Sequence, residues 1–196
     1  MAGGGKIDTN RPGKATVMTI HSLKRACNVG IWAVAVAFVG AIPLSATADE
    51  APRIPRVRAN ADGVIAALLL EAPRRSEAFR RLVEAIDVSD GIVYIEHGRC
   101  RYHVRACLAT FVQVAGPNRI LRIVVDTRSD HEELIALIGH ELQHAVEALS
   151  DPHVTSNATM YFFFERMAPT VSGSFETHAA IQAGLAVMTE LRAKIH

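Results

Sequence analysis

The chain has 196 residues, 49% hydrophobic and 21% charged, with 21 Lys+Arg against 20 Asp+Glu and a formal net charge of +1. Hydrophobic content at this level excludes a disordered chain, and near-neutrality leaves no whole-chain field to concentrate nucleic acid, so no nucleic-acid partner is expected. Three cysteines, 13 glycines and the lack of a seven-residue period exclude disulfide-dense, collagen-like and coiled-coil classes.

Much of the apolar excess lies in Val29 to Ile42, 14 uncharged residues preceded by Lys24 and Arg25. A bilayer span needs about 20 residues, so this run suits the apolar region of a signal peptide instead. Pro43 ends it, and Ala46-Thr47-Ala48 is the small-x-small pattern a signal peptidase accepts. Residues 1–48 are therefore read as a signal peptide, with Met18 an alternative start, and residues 49–196 as a single domain. Cys27 precedes the apolar run and cannot be a lipoprotein cysteine. The expected location is periplasmic or extracellular, with no stable membrane span in the mature chain; an uncut Ala48 would instead leave an anchored protein. The leader holds five of the 21 basic and one of the 20 acidic residues, leaving 16 and 19 in the mature 148 residues and a net charge of −3.

Only Cys100 and Cys107 remain after cleavage, and an even pair in an exporting context favours a disulfide over a reactive thiol or zinc site. Closing so small a loop stabilises the fold by about 2–3 kcal/mol on a chain-entropy estimate.

In chain order, residues 49–58 carry Pro52, Pro55 and three arginines and read as an extended leader. Asp62 to Glu71 has helical composition, with Pro73 expected to end it. Phe79, Leu82, Val83 and Ile86 at i, i+3, i+4 and i+7 predict a second helix. After the turn at Ser89-Asp-Gly91, three β-branched or aromatic runs, Ile92–Ile95, Leu108–Val114 and Ile120–Val125, predict a three-stranded antiparallel sheet. Ala115-Gly-Pro-Asn118 is the hairpin loop between the last two. Ser129-Asp-His-Glu132 is a capping box opening a helix to about Leu149, where Asp151-Pro152 stops it. A short helix at Ala158–Met167, a loop at Pro169–Gly173 and a final helix from about Phe175 to Ala193 complete an α+β reading.

Within the capped helix stands His140-Glu141-Leu142-Gln143-His144, an H-E-x-x-H sequence. Residues four apart differ by about 40° around a helix, one turn above each other, so both imidazoles can reach one metal ion. Glu141 is rotated by about 100° and projects beside that ion, where it can take a proton from water. Leu134, Ile135, Ile138, Leu142, Ala145, Val146 and Leu149 form an apolar stripe on the other side, so the histidine pair is offered to a cleft or to water. Gly139 costs about 1 kcal/mol of helix stability against Ala, which points to a close approach by a neighbour.

Catalytic zinc expects three protein ligands and an open position. Candidates are Glu147, His153, Glu165, Glu176 and His178. Glu147 shares the helix but lies nearly two turns beyond His140 and reads as solvated. Glu176 is better placed, in the first turn of the last helix, where Ala179 and Ala180 permit close packing; Glu165 is the runner-up.

With these residues the chain resembles the zincin metallopeptidases, and among them the glutamate-ligand branch, the gluzincins. Leu137-Ile-Gly-His-Glu-Leu-Gln-His-Ala-Val146 keeps the family's uncharged surround, and a strand just before the motif helix and a Glu on a later helix keep its order. The resemblance covers about residues 92–190 and extends to small exported bacterial proteins of unassigned function. It implies a small zincin-like domain whose strand Ile120–Val125 edges the cleft and pairs with an extended peptide. It further implies Zn2+ held by His140, His144 and Glu176, with Glu141 as general base and then proton donor. Gluzincins commonly carry an acidic residue four after the ligand Glu to support a zinc histidine; here that position is Ala180. Tyr161, His153 and His178 could each supply an oxyanion donor. The expected function is an exported zinc-dependent hydrolase acting on peptide or protein substrates. The alternative is a non-catalytic exported protein that keeps the fold and binds a metal or a partner.

Overall fold

A computed structural model describes residues 54–101, 104–167 and 175–193. Residues 1–48, read from sequence as a signal peptide, and the loop expected at Pro169–Gly173 lie outside the described residues. Those described belong to one unit, Asp49–His196. Nine elements follow in order: β1 (Val57–Ala59), α1 (Gly63–Arg75), α2 (Glu77–Asp87), β2 (Gly91–His97), β3 (Ala106–Ala115), β4 (Asn118–Val125), α3 (His131–Ser150), α4 (Asn157–Met167) and α5 (His178–Ala193). The α+β class and the antiparallel β3–β4 hairpin are as expected, but the sheet has a fourth strand and is mixed, not antiparallel throughout.

Four strands run in the order β1-β2-β4-β3, with β1/β2 and β2/β4 parallel and only β3/β4 antiparallel. The extra strand comes from the segment read as an extended leader: Val57-Arg-Ala59 is too short to display a period of two. Its parallel partner is reached through α1 and α2, a connection long enough to return the chain in the same direction. The β3–β4 hairpin then places β4 between β2 and β3. Val93, Ile95, Leu121, Ile123 and Val125 are buried on one face of the sheet, and α2 and α3 contact β2 and β4 respectively. Among the described residues no helix is long and apolar enough to cross a membrane.

Three boundaries differ from the sequence reading. Pro73 lies inside α1, which continues to Arg75. So near the C-terminus a proline removes one bond, and the Ser76 amide closes the last turn on the Ala72 carbonyl at 2.8 Å. Asp130 rather than Ser129 caps α3, accepting from the Glu132 amide at 3.1 Å; both residue types cap well, so composition does not choose between them. The last helix begins at His178, because Thr177 Oγ1 accepts the Ala180 amide at 3.1 Å and acts as its cap. Glu176 thus precedes the helix. Cys100 and Cys107 form the expected disulfide, with Cα atoms 6.0 Å apart, tying the segment after β2 to the start of β3.

The C-terminus of α3 is held by Arg119 of β4, only 5% exposed. Its guanidinium donates to the carbonyls of Leu149 at 2.7 Å, Asp151 at 2.7 Å and Val154 at 3.2 Å, and to the Asp90 carboxylate at 2.7 Å. A helix end leaves carbonyls without intrahelical partners, and this planar fork satisfies several at once. Arg119→Met strands those acceptors and lowers unfolding free energy by about 3 kcal/mol. Urea titration checks this, and a value within about 0.5 kcal/mol of wild type, the range of a neutral surface change, contradicts it.

Candidate metal centre

Helix α3 buries Leu134, Ile135, Ile138, Leu142, Ala145 and Leu149 in the core, which fixes its rotation. The opposite side carries His140 and His144, whose ring centroids lie 4.9 Å apart. That side faces a cleft rather than open water. His144 is buried, with Phe164 of α4 packed edge-on to its ring at 5.5 Å, and His140 is half-buried.

Helix α5 closes the other flank through two glycines. A Cβ on Gly139 would lie 2.9 Å from Val187 Cγ2, and one on Gly184 would lie 3.2 Å from His140 Cβ. The approach expected at Gly139 is therefore that of α5. It brings the residues just before α5 to the histidines: Glu176 Oε2 lies 3.2 Å from His140 Nε2. One donor atom each from His140, His144 and Glu176 falls within 4.8 Å of the others. Donors bound at about 2.0–2.1 Å around a tetrahedral ion are about 3.3 Å apart, so these two imidazoles and the carboxylate could hold one divalent metal once they draw together to that spacing.

Glu147 is not solvated, as its position suggested, but buried. Its Oε2 lies 3.1 Å from His144 Nδ1, and its Oε1 accepts from Thr177 Oγ1 at 2.7 Å. A carboxylate accepts only, so Nδ1 carries the proton and His144 Nε2 is left for a metal. Burial alone would raise the Glu147 carboxyl, but the hydrogen bonds from His144 and Thr177 hold it below its ordinary value. For His144, burial favours the neutral ring, yet the Glu147 bond and the charges of Glu141, Glu147 and Glu176 carry it above the usual histidine range. His140 goes the other way, lowered by burial first and by His144 second. The acidic support that Ala180 lacks is supplied from the motif helix itself. An i, i+3 pairing of His144 with Glu147 was the sequence signal for it; its burial by Thr177 had none.

Glu141 stands outside the grouped donors, with Oε1 4.0 Å from His140 Nε2 and Oε2 accepting the Leu108 amide of β3 at 2.6 Å. Burial raises its pKa to about 7. The strand edging the cleft is consequently β3, which contributes Leu108, Ala109 and Thr110, and not Ile120–Val125, which lies inside the sheet as β4. The β3–β4 register shifts between Leu108 and Val112, the stretch of β3 that includes Ala109 and Thr110 of the cleft lining. Glu165 is exposed on α4 and not part of the donor group. Tyr161 packs against Phe162 and Phe175; His153 and His178 are exposed, and none of the three lines the cleft. Comparison with family models, with curated proteins and with solved structures finds no match to this chain.

Two outcomes follow from these bonds. A divalent metal held by His140 and His144 would be bound about 10- to 100-fold more weakly in Glu147→Ala, since an unsupported imidazole is a poorer and looser ligand; competition with a chromophoric chelator measures it, and unchanged affinity contradicts the support. In chelator-treated protein, folding favours protonated Glu141, an advantage complete below about pH 4.5 that is lost as pH rises to about 7. Across that window metal-free wild type loses up to about 3 kcal/mol relative to Glu141→Gln. Parallel pH–stability curves for the two proteins contradict the burial effect.

Proposed function

We propose that the chain is an exported zinc-dependent hydrolase of the metallopeptidase type, acting on peptides or proteins. The observation that carries this reading is the convergence of His140, His144 and Glu176 on one point, with the buried Glu141 carboxylate beside them but outside the donor set. Zinc at such a point supplies Lewis acidity, polarising a carbonyl and making water a nucleophile near neutral pH.

The protein's own groups account for the rest. Glu147 fixes the His144 tautomer and ring orientation. The Leu108 amide restrains one oxygen of Glu141 and leaves the other toward the centre, so that Glu141 takes the proton of the attacking water and delivers it to the leaving amine. A base that burial raises to about 7 is matched to that double task. Beside it, β3 pairs with β4 on one side and ends the sheet on the other, a position from which backbone groups can align an extended peptide. The Cys100–Cys107 disulfide is in keeping with an oxidising compartment and hence with export.

Glu141→Gln removes the base while preserving shape. Hydrolysis of a denatured protein substrate falls by at least about 100-fold with bound zinc retained. Undiminished hydrolysis, or purified wild type without zinc, refutes the assignment.

A further inference from the structure

We propose that Arg99 and Arg101 form an anion-recognition site within the catalytic cleft, selecting peptides that carry a carboxylate close to the bond to be cut. This rests on the hydrolase reading for what the peptide undergoes and adds to it what kind of peptide is taken.

The cleft, about 480 Å³, is lined at once by Arg99 and Arg101, by the start of β3, and by Glu141, His144 and Glu176. Its cationic and catalytic groups therefore share one volume. Both arginines are exposed, and among the described residues neither meets a carboxylate, whereas Arg105, next along the chain, pairs with Glu133. Among the described residues the only acidic ones lining the cleft are Glu141 and Glu176, and both are directed at the candidate metal centre. Among the described residues, two cations thus stand unneutralised in the cleft of a unit whose sequence from residue 49 onward has a net charge of −3. That local inversion of sign is what draws an anionic ligand into one cleft and not onto the surface at large.

Position is restrained as well as charge. Cys100, between the two arginines, is tied to Cys107 and contacts the Val124 carbonyl at 3.5 Å, so the backbone carrying both guanidinium groups is anchored to β3 and β4. Anchoring lowers the ordering cost of binding, and a guanidinium fork matches a carboxylate in plane. Met160, Phe164 and Phe175 line the same cleft and offer apolar surface to a neighbouring side chain. The matching ligand is a peptide with an apolar residue and a carboxylate near each other, the carboxylate being either an Asp or Glu side chain or the peptide's own C-terminus.

Fluorescence anisotropy with zinc-loaded full-length Glu141→Gln protein, which leaves peptides uncut, tests this with fluorescein-labelled heptapeptides of one apolar sequence. One carries Asp with an amidated C-terminus, one Asn with a free C-terminus, and one Asn with an amidated C-terminus. At least one carboxylate-bearing peptide binds about tenfold tighter than the neutral one, and which of the two does so identifies the source. That preference shrinks with added salt and disappears in Arg99→Gln/Arg101→Gln, while affinity for the neutral peptide is kept, showing that the cleft is intact. Equal affinities, a preference that survives the double substitution, or no binding by any peptide overturns the proposal. Failure of the hydrolase reading looks different: the preference is present, yet protein with Glu141 restored cuts none of the peptides.

Discussion

Everything at the centre depends on how closely α5 can lie against α3. Side chains normally keep packed helices about 8–10 Å apart, and here the contact is made where Gly139 and Gly184 present no Cβ. Val187 and the base of His140 fill the space those atoms would need. Because α5 is drawn in, Thr177 at its cap reaches Glu147, and Glu176 one residue earlier reaches His140. One packing contact thus sets both a candidate metal donor and the support of another. Arg119 supplies the complementary restraint, pinning the far end of α3 to the sheet.

The electrostatics of the site make sense only as a set. Two histidines and three glutamates share a small, partly dry volume, and isolated charges there would be costly. Each is instead given a partner: Glu147 has His144 and Thr177, Glu141 has the Leu108 amide, and Glu176 has His140. No buried side-chain polar atom among the described residues lacks a hydrogen-bond partner. The residual tension falls on Glu141, held near neutrality in its pKa, and on His140, whose ring is pushed toward the unprotonated form that ligates metal. Such opposed environments for neighbouring groups characterise sites built for proton transfer.

Sequence alone carried the helices well, because their signals are local. The stripe from Leu134 to Leu149, the motif face and the i, i+3, i+4 pattern of Phe79 to Ile86 all survive in the structure. The antiparallel β3–β4 hairpin survives too, but the pairing of β2 does not, since nothing in Ile92–Ile95 or Ile120–Val125 tells β2 which neighbour it will have or which way that neighbour runs. The same limit explains why β4 looked like the cleft edge and why Val57–Ala59 looked like a leader. Glu147 was misjudged for a related reason: its place on the helix was legible, but the residue that buries it, Thr177, is 30 positions away. Glu176 stands beside His140, but before the helix and not in its first turn, because Thr177 takes the cap.

The most direct measurement is a crystal structure of the zinc-soaked protein with anomalous data collected at the zinc edge. One anomalous peak is expected, within about 2.0–2.2 Å of His140 Nε2, His144 Nε2 and a Glu176 carboxylate oxygen, with Glu141 unligated beside it. A peak bound by other residues, one that excludes Glu176, or none at all contradicts the account.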